Sequence, residues 1–287
     1  TSAELIERLR QELIRRWRNS AKDTPYLQLM REPSYLLDVN AWQPERLAEA
    51  LETLDPEVFR EFIAGLYRGV YLEIFDSGDI DGQLAAEMAE KLSSRIASGD
   101  SQPWPERGIT RVLPGTKMQV PMAIDHKDAG ILRYYQGRND SVEETARFLF
   151  LRQLIKAPFF HDLRTQQQLG YVVAAVDQGL DRVPGFGLLV QSPVADVPAL
   201  EVAIDKFIED FAGVVSALSS EEFERHRVAI LTGLREKPKS LAEQSARYWG
   251  SIDLRDYDFT RRQQVIAAIE EMTLPQVVEI YGLIMRE

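Results

Sequence analysis

The sequence predicts an α+β protein of two tandem domains, each an antiparallel sheet packed by helices and each truncated. Three observations predict it. Amphipathic helical periodicity fills both ends of the chain, while short β-rich runs gather in its middle. A polar stretch with two prolines, Ser98-Gly-Asp-Ser-Gln-Pro-Trp-Pro105, divides the chain at a point where it should run extended. A helix-start pattern also recurs at an offset of 219, with Pro56 on Pro275, Val58 on Val277 and Phe62 on Tyr281.

The elements follow in order. Leu5, Ile6, Leu9, Leu13, Ile14 and Trp17 mark one apolar face of a helix over 3–18. A second helix is expected at 26–38. A third begins after Trp42, with Pro44 at an early helical position, and a fourth begins after Asp55-Pro56. Residues 70–75 read as a strand closed by Asp76-Ser-Gly-Asp79, and 80–97 return to helix. Past the linker, strands are expected at 110–113, 118–124 and 130–136. Ser141-Val-Glu-Glu144 has capping-box form and opens a helix to about Lys156, which Pro158 interrupts. A further helical piece carries His161 to Leu169, and Gly170 suits its C′ position. Strands at 171–176 and 186–191 come next, then helices at 196–217, 220–235, 240–252, 260–270 and 274–285. The domains are therefore 1–100 and 105–287. By the repeat, the second copy lacks its last strand and the first its opening half, so the chain is expected to be cut from a longer protein.

Composition narrows the function classes. A net charge of -11 argues against a nucleic-acid partner. The basic start, with seven Lys/Arg in residues 1–31 against four acids, reads as a solvated helix face. No apolar run approaches membrane-spanning length. With no cysteine, disulfides, thiolate nucleophiles and cysteine-based zinc sites are excluded. Absence of thiols favours the periplasm if the source is bacterial, with the cytoplasm as the alternative.

The motifs are sparse. His126, His161 and His226 lack the His/Glu spacing of a helical zinc site, so no metal ligand is assigned. There is no Gly-x-Ser-x-Gly elbow. Gly185-Phe-Gly187 is not followed by a helix, and Glu143-Glu144 and Glu221-Glu222 fall in first helical turns, where they complement the dipole. That leaves Arg164 and Tyr171, seven residues apart, with Gly170 before the tyrosine. One reading is an ordinary helix end. The other is a guanidinium and a phenol at one corner, both able to donate hydrogen bonds to a carbonyl where acyl-transfer charge develops.

The run Phe159-Phe-His-Asp-Leu-Arg-Thr-Gln-Gln-Gln-Leu-Gly-Tyr171-Val-Val resembles the C-terminal signature Leu-Arg-Thr-x-x-Gln-Leu-Gly-Tyr of the insulinase/pitrilysin-type zinc metallopeptidases, the inverzincins. Leu132-Arg-Tyr-Tyr-Gln136 and Lys237-Pro-Lys-Ser-Leu-Ala-Glu-Gln-Ser-Ala-Arg-Tyr-Trp-Gly250, with Tyr257-Asp-Phe259, match as well. The resemblance implies insulinase-type domains: 1–100 as the later part of a third, and 105–287 as a fourth without its final strand. It implies the substrate-gripping C-terminal half of an endopeptidase, closing over an N-terminal half of the same polypeptide that carries zinc. Peptides are then the substrates and hydrolysis is metal-assisted. By the same resemblance Tyr171 donates to the oxyanion, and Arg164 holds a neighbouring substrate carbonyl. Gln168 joins them in substrate binding, and Thr165 has a local role. The alternative is a catalytically inactive peptide-binding or scaffold partner of such a peptidase.

Overall fold

The computed structural model describes residues 3–67, 69–96 and 108–285. In chain order these form α1 (Ala3–Asn19), α2 (Pro25–Leu37), α3 (Pro44–Thr53), α4 (Pro56–Gly65), α5 (Gly82–Ile96), β1 (Ala129–Gln136), α6 (Val142–Phe160), β2 (Val172–Asp177), β3 (Gly185–Ser192), α7 (Val197–Ser216), α8 (Ser220–Arg235), α9 (Leu241–Asp253), α10 (Arg261–Glu271) and α11 (Leu274–Met285). Short 3₁₀ and π turns occupy Ser20–Lys22 and His161–Gln166. The class is α+β, with one small antiparallel sheet and many helices. The expected linker at 98–105 lies outside the described residues.

Two compact units interleave along the chain. One comprises the described residues of Thr1–Trp17, Pro44–Arg107 and Lys237–Tyr257; the other comprises Arg18–Gln43, Gly108–Glu236 and Asp258–Glu287. We propose that the sequence domains divide at that linker.

In the first unit, Asp55 caps α4 by accepting from the Glu57 backbone N–H at 2.7 Å, with Pro56 in the first turn. Residues 70–75, expected as a strand, run without ladder pairing among the described residues. A β-rich run becomes a strand only when a partner supplies its hydrogen bonds. Phe75 instead packs near Tyr248 and Trp249, with ring centroids 6.2 and 6.3 Å apart. The Tyr257 hydroxyl donates to Glu73.

The second unit holds the sheet, in the order β1-β3-β2 and antiparallel throughout. All of β3 is buried. Its side chains alternate between faces. Phe186, Leu188 and Val190 join the core built on α6, α7, α8, α10 and α11. Gln191 belongs to the opposite set, and its side-chain oxygen accepts from the Tyr26 N–H of α2 at 3.0 Å. Core rings run from Phe159 through Phe207 and Phe211 to Tyr281, with neighbouring centroids 5.2–5.9 Å apart. The buried Tyr281 hydroxyl is satisfied by the Ile208 carbonyl at 2.7 Å.

Three local expectations change here. Residues 110–113 and 118–124 form no ladder among the described residues; Ile109 makes an isolated bridge to Asp38. Pro158 does not interrupt α6, which runs to Phe160 before the π turn begins at His161. The Ser141 box is half made. Its hydroxyl accepts from the Glu144 N–H at 3.1 Å, but the buried Glu144 carboxylate accepts from the Arg138 N–H at 2.9 Å.

A complete capping box starts α8, where Ser219 and Glu222 satisfy each other's backbone N–H groups. Ser219→Ala is expected to cost about 1 kcal/mol in urea denaturation, and an unchanged midpoint would contradict the cap. The Ser219 hydroxyl and then its N–H hold the Glu222 carboxyl below the usual range. That contribution is present above the ordinary Glu pKa and is lost as pH falls through the lowered folded value.

Candidate functional site

Arg164 and Tyr171 lie in a run of unusual backbone. A π turn spans His161–Gln166, and such turns gather at functional positions. Gln168 then takes φ +54, a left-handed conformation costly for a residue with a Cβ. The left-handed position expected at Gly170 therefore belongs to Gln168. Gly170 serves a different need. A Cβ there would sit 2.0 Å from the Gln191 carbonyl oxygen, so only glycine lets the loop lie this close to β3.

The loop is tied by Arg164. Its Nη1 donates to the Gly170 carbonyl at 3.2 Å and to the Tyr171 carbonyl. Its guanidinium lies 5.6 Å from the centre of the Phe160 ring. Both hydrogen bonds leave from Nη1, one edge of a group with five N–H donors. Thr165 and Gln168 are exposed on the same run.

Tyr171 sits just before β2, half exposed at 51%. Antiparallel pairing places the starts of β1 and β2 and the end of β3 at one end of the sheet, since Ala129 faces Ser192 and Val172 faces Gln191. This brings in two residues that sequence reasoning missed. The Tyr171 hydroxyl donates to Asp128 Oδ2 at 3.0 Å. Gln191 Nε2 donates to the same oxygen at 2.9 Å and to the Tyr171 hydroxyl. The amide orientation follows from its other end, where Oε1 accepts the Tyr26 N–H. No local motif announces this triad, because Asp128 and Gln191 lie 43 and 20 residues from Tyr171.

Electrostatics match the geometry. Donation from Gln191 is the largest influence on Asp128 and, with Tyr171, His126 and Lys127, outweighs its desolvation, so its carboxyl stays below the usual range. Desolvation first, and then the Asp128 carboxylate, push the Tyr171 phenol up. At neutral pH the pair is a carboxylate beside a protonated phenol.

Metal ligands are a different matter. Among the described residues no group of three or more His, Cys, Asp or Glu could hold a metal ion. His126 precedes β1, His161 opens the π turn and His226 lies on α8, where burial lowers its pKa. The described residues do not fit a zinc site. No described helix is long and apolar enough to cross a membrane.

Comparison with known proteins gives consistent matches. Residues 150–249 match the family model described as PQQ synthase PqqF-like, C-terminal lobe domain 4. The chain is 30% identical over 282 residues to the A-factor-processing enzyme of Saccharomyces cerevisiae, covering 96% of this chain and 27% of that protein. It is 26% identical over 289 residues to the insulin-degrading enzyme of Homo sapiens, covering 96% of this chain and 28% of that one. The chain thus spans little more than a quarter of the length of these relatives. Its fold is that of part of crystalline pitrilysin, with a TM-score of 0.87 at 20% identity, covering 99% of this chain and 30% of the other. It is also that of a peptidase M16 inactive domain from Pseudomonas fluorescens, with a TM-score of 0.63 at 12% identity, covering 97% and 66%.

Proposed function

We propose that this chain, which matches a C-terminal lobe domain and spans little more than a quarter of its relatives, belongs to the insulinase/pitrilysin family and is part of the substrate-gripping C-terminal half of a zinc-dependent endopeptidase. The observation that carries the reading is the Arg164–Tyr171 corner. A guanidinium and a protonated phenol are held on one loop by an irregular turn, a left-handed residue and a glycine contact to β3. Such a loop brings a guanidinium and a phenol to one corner, both of donor chemistry that suits the backbone of an extended peptide once the phenol turns from Asp128.

In this reading Tyr171 donates to the carbonyl oxygen as it gains charge, and Arg164 holds a neighbouring substrate carbonyl. Gln168 lines the same strip. Zinc finds no ligand set among the described residues and is assigned to the N-terminal half of the longer protein, together with the chemistry that activates water. This chain contributes position and hydrogen-bond donation. Its partners are that half and the peptide.

Arg164→Lys in the longer protein tests the grip. Lysine keeps the charge but loses the planar fork. Loss of one charge-assisted hydrogen bond, worth about 1.5–3 kcal/mol, lowers kcat/KM by roughly 10-fold or more. An unchanged kcat/KM would remove Arg164 from substrate binding.

A second reading is a catalytically inactive peptide-binding partner, favoured by the likeness of the fold to an M16 inactive domain. The two readings part at the rest of the reading frame. An intact His-x-x-Glu-His there supports the peptidase, and a degenerate one the inactive partner.

A further inference from the structure

The Tyr171 phenol is not free at the loop surface. Its one hydroxyl hydrogen is given to Asp128, and its oxygen accepts from Gln191. A phenol has a single O–H to donate, so the same hydrogen cannot serve a substrate carbonyl at the same time. The holder itself is well built. Gln191 is fully buried, its amide is oriented by the Tyr26 N–H, and it donates to Asp128 as well as to Tyr171. The Asp128 side chain is only 6% exposed, and its backbone N–H donates to His126 Nδ1 at 3.0 Å.

We propose that Asp128 and Gln191 are positioning residues that hold the Tyr171 phenol at the sheet end, its hydroxyl hydrogen committed to Asp128 until a peptide carbonyl draws it away. This rests on the reading of Tyr171 as the substrate-facing donor. Removing the hydrogen bond to Asp128 leaves Gln191 bonded to the carboxylate, so the holder survives the turn of the phenol. The charged and titratable groups around it are His126 and Lys127 ahead of β1 and Tyr26 on α2. Arg164 meets the Tyr171 carbonyl rather than its phenol.

The test has two arms. In the first, this chain is labelled with 3-fluorotyrosine and titrated by fluorine NMR, with the Tyr171 signal identified by its absence in Tyr171→Phe. The proposal expects Tyr171 to titrate at lower pH in Asp128→Asn and Asp128→Ser than in the wild type. Equal midpoints in folded variants would overturn it. A second reading of the wild type alone covers variants that fail to fold: its Tyr171 must titrate above free 3-fluorotyrosine, and an equal midpoint also overturns the proposal. In the second arm, Asp128→Asn in the longer protein lowers kcat about 10-fold with KM little changed, and Asp128→Glu recovers part of the loss. If Tyr171→Phe lowers kcat while Asp128→Asn does not, the positioning role falls. If the midpoints differ but Tyr171→Phe leaves kcat unchanged, the donor reading of Tyr171 falls, and with it the step assigned to the holder.

Discussion

Tyr171→Phe, made in a longer protein that carries this chain, is expected to lower kcat by about 10²–10³-fold while KM changes far less. That is the usual loss when one donor to a developing oxyanion is removed. The split follows from when the hydrogen bond is made. A bond that exists mainly in the transition state appears in kcat, whereas uniform binding appears in KM. The substitution is clean because it removes one oxygen from a half-exposed ring. Asp128 and Gln191 remain bonded to each other at 2.9 Å, so no buried polar group is orphaned. A fall in kcat with unchanged thermal stability therefore reports chemistry. Unchanged kcat would sink the oxyanion role.

Gly170→Ala should be the most damaging small substitution in this region. The new methyl would sit 2.0 Å from the Gln191 carbonyl oxygen and 2.9 Å from its carbon. Backbone of a fully buried central strand cannot retreat as a flexible side chain can. The cost is expected at about 3 kcal/mol or more, the upper end of overpacking, or a urea midpoint lower by roughly 1 M. Gly213→Ala is the internal control. Gly213 lies on the exposed face of α7 with open space where a Cβ would go. Alanine there should be neutral or stabilising by up to about 1 kcal/mol. Equal effects at the two positions would mean that the loop does not lie against β3 as described.

The helices were legible because their signals are local. Helical spacing, Pro56 in a first turn and the Asp55 and Ser141 caps placed α1, α4, the start of α6 and α7–α11 close to their observed bounds. Strands are not local in this sense. Residues 70–75 and 118–124 have β-type composition but no ladder among the described residues, while 130–136 and 186–191 have each other. Pro158 reads as a break, yet α6 passes it and the irregularity falls three residues later as a π turn. At the site, Arg164 and Tyr171 were visible from a signature. Gly170 suits a helix end by its sequence position, but its need is closeness to β3, and the left-handed backbone lies at Gln168. Asp128 and Gln191 stayed invisible because strand pairing, not sequence spacing, brings them to Tyr171.

The most direct test of the central claim is hydrolysis of a fluorogenic peptide by this chain alone and by the longer protein, each with and without a zinc chelator. The account predicts no activity in the chain alone and chelator-sensitive activity in the longer protein. Chelator-sensitive hydrolysis by the chain alone would contradict it, because Arg164 and Tyr171 would then be working beside a metal site that these residues do not assemble.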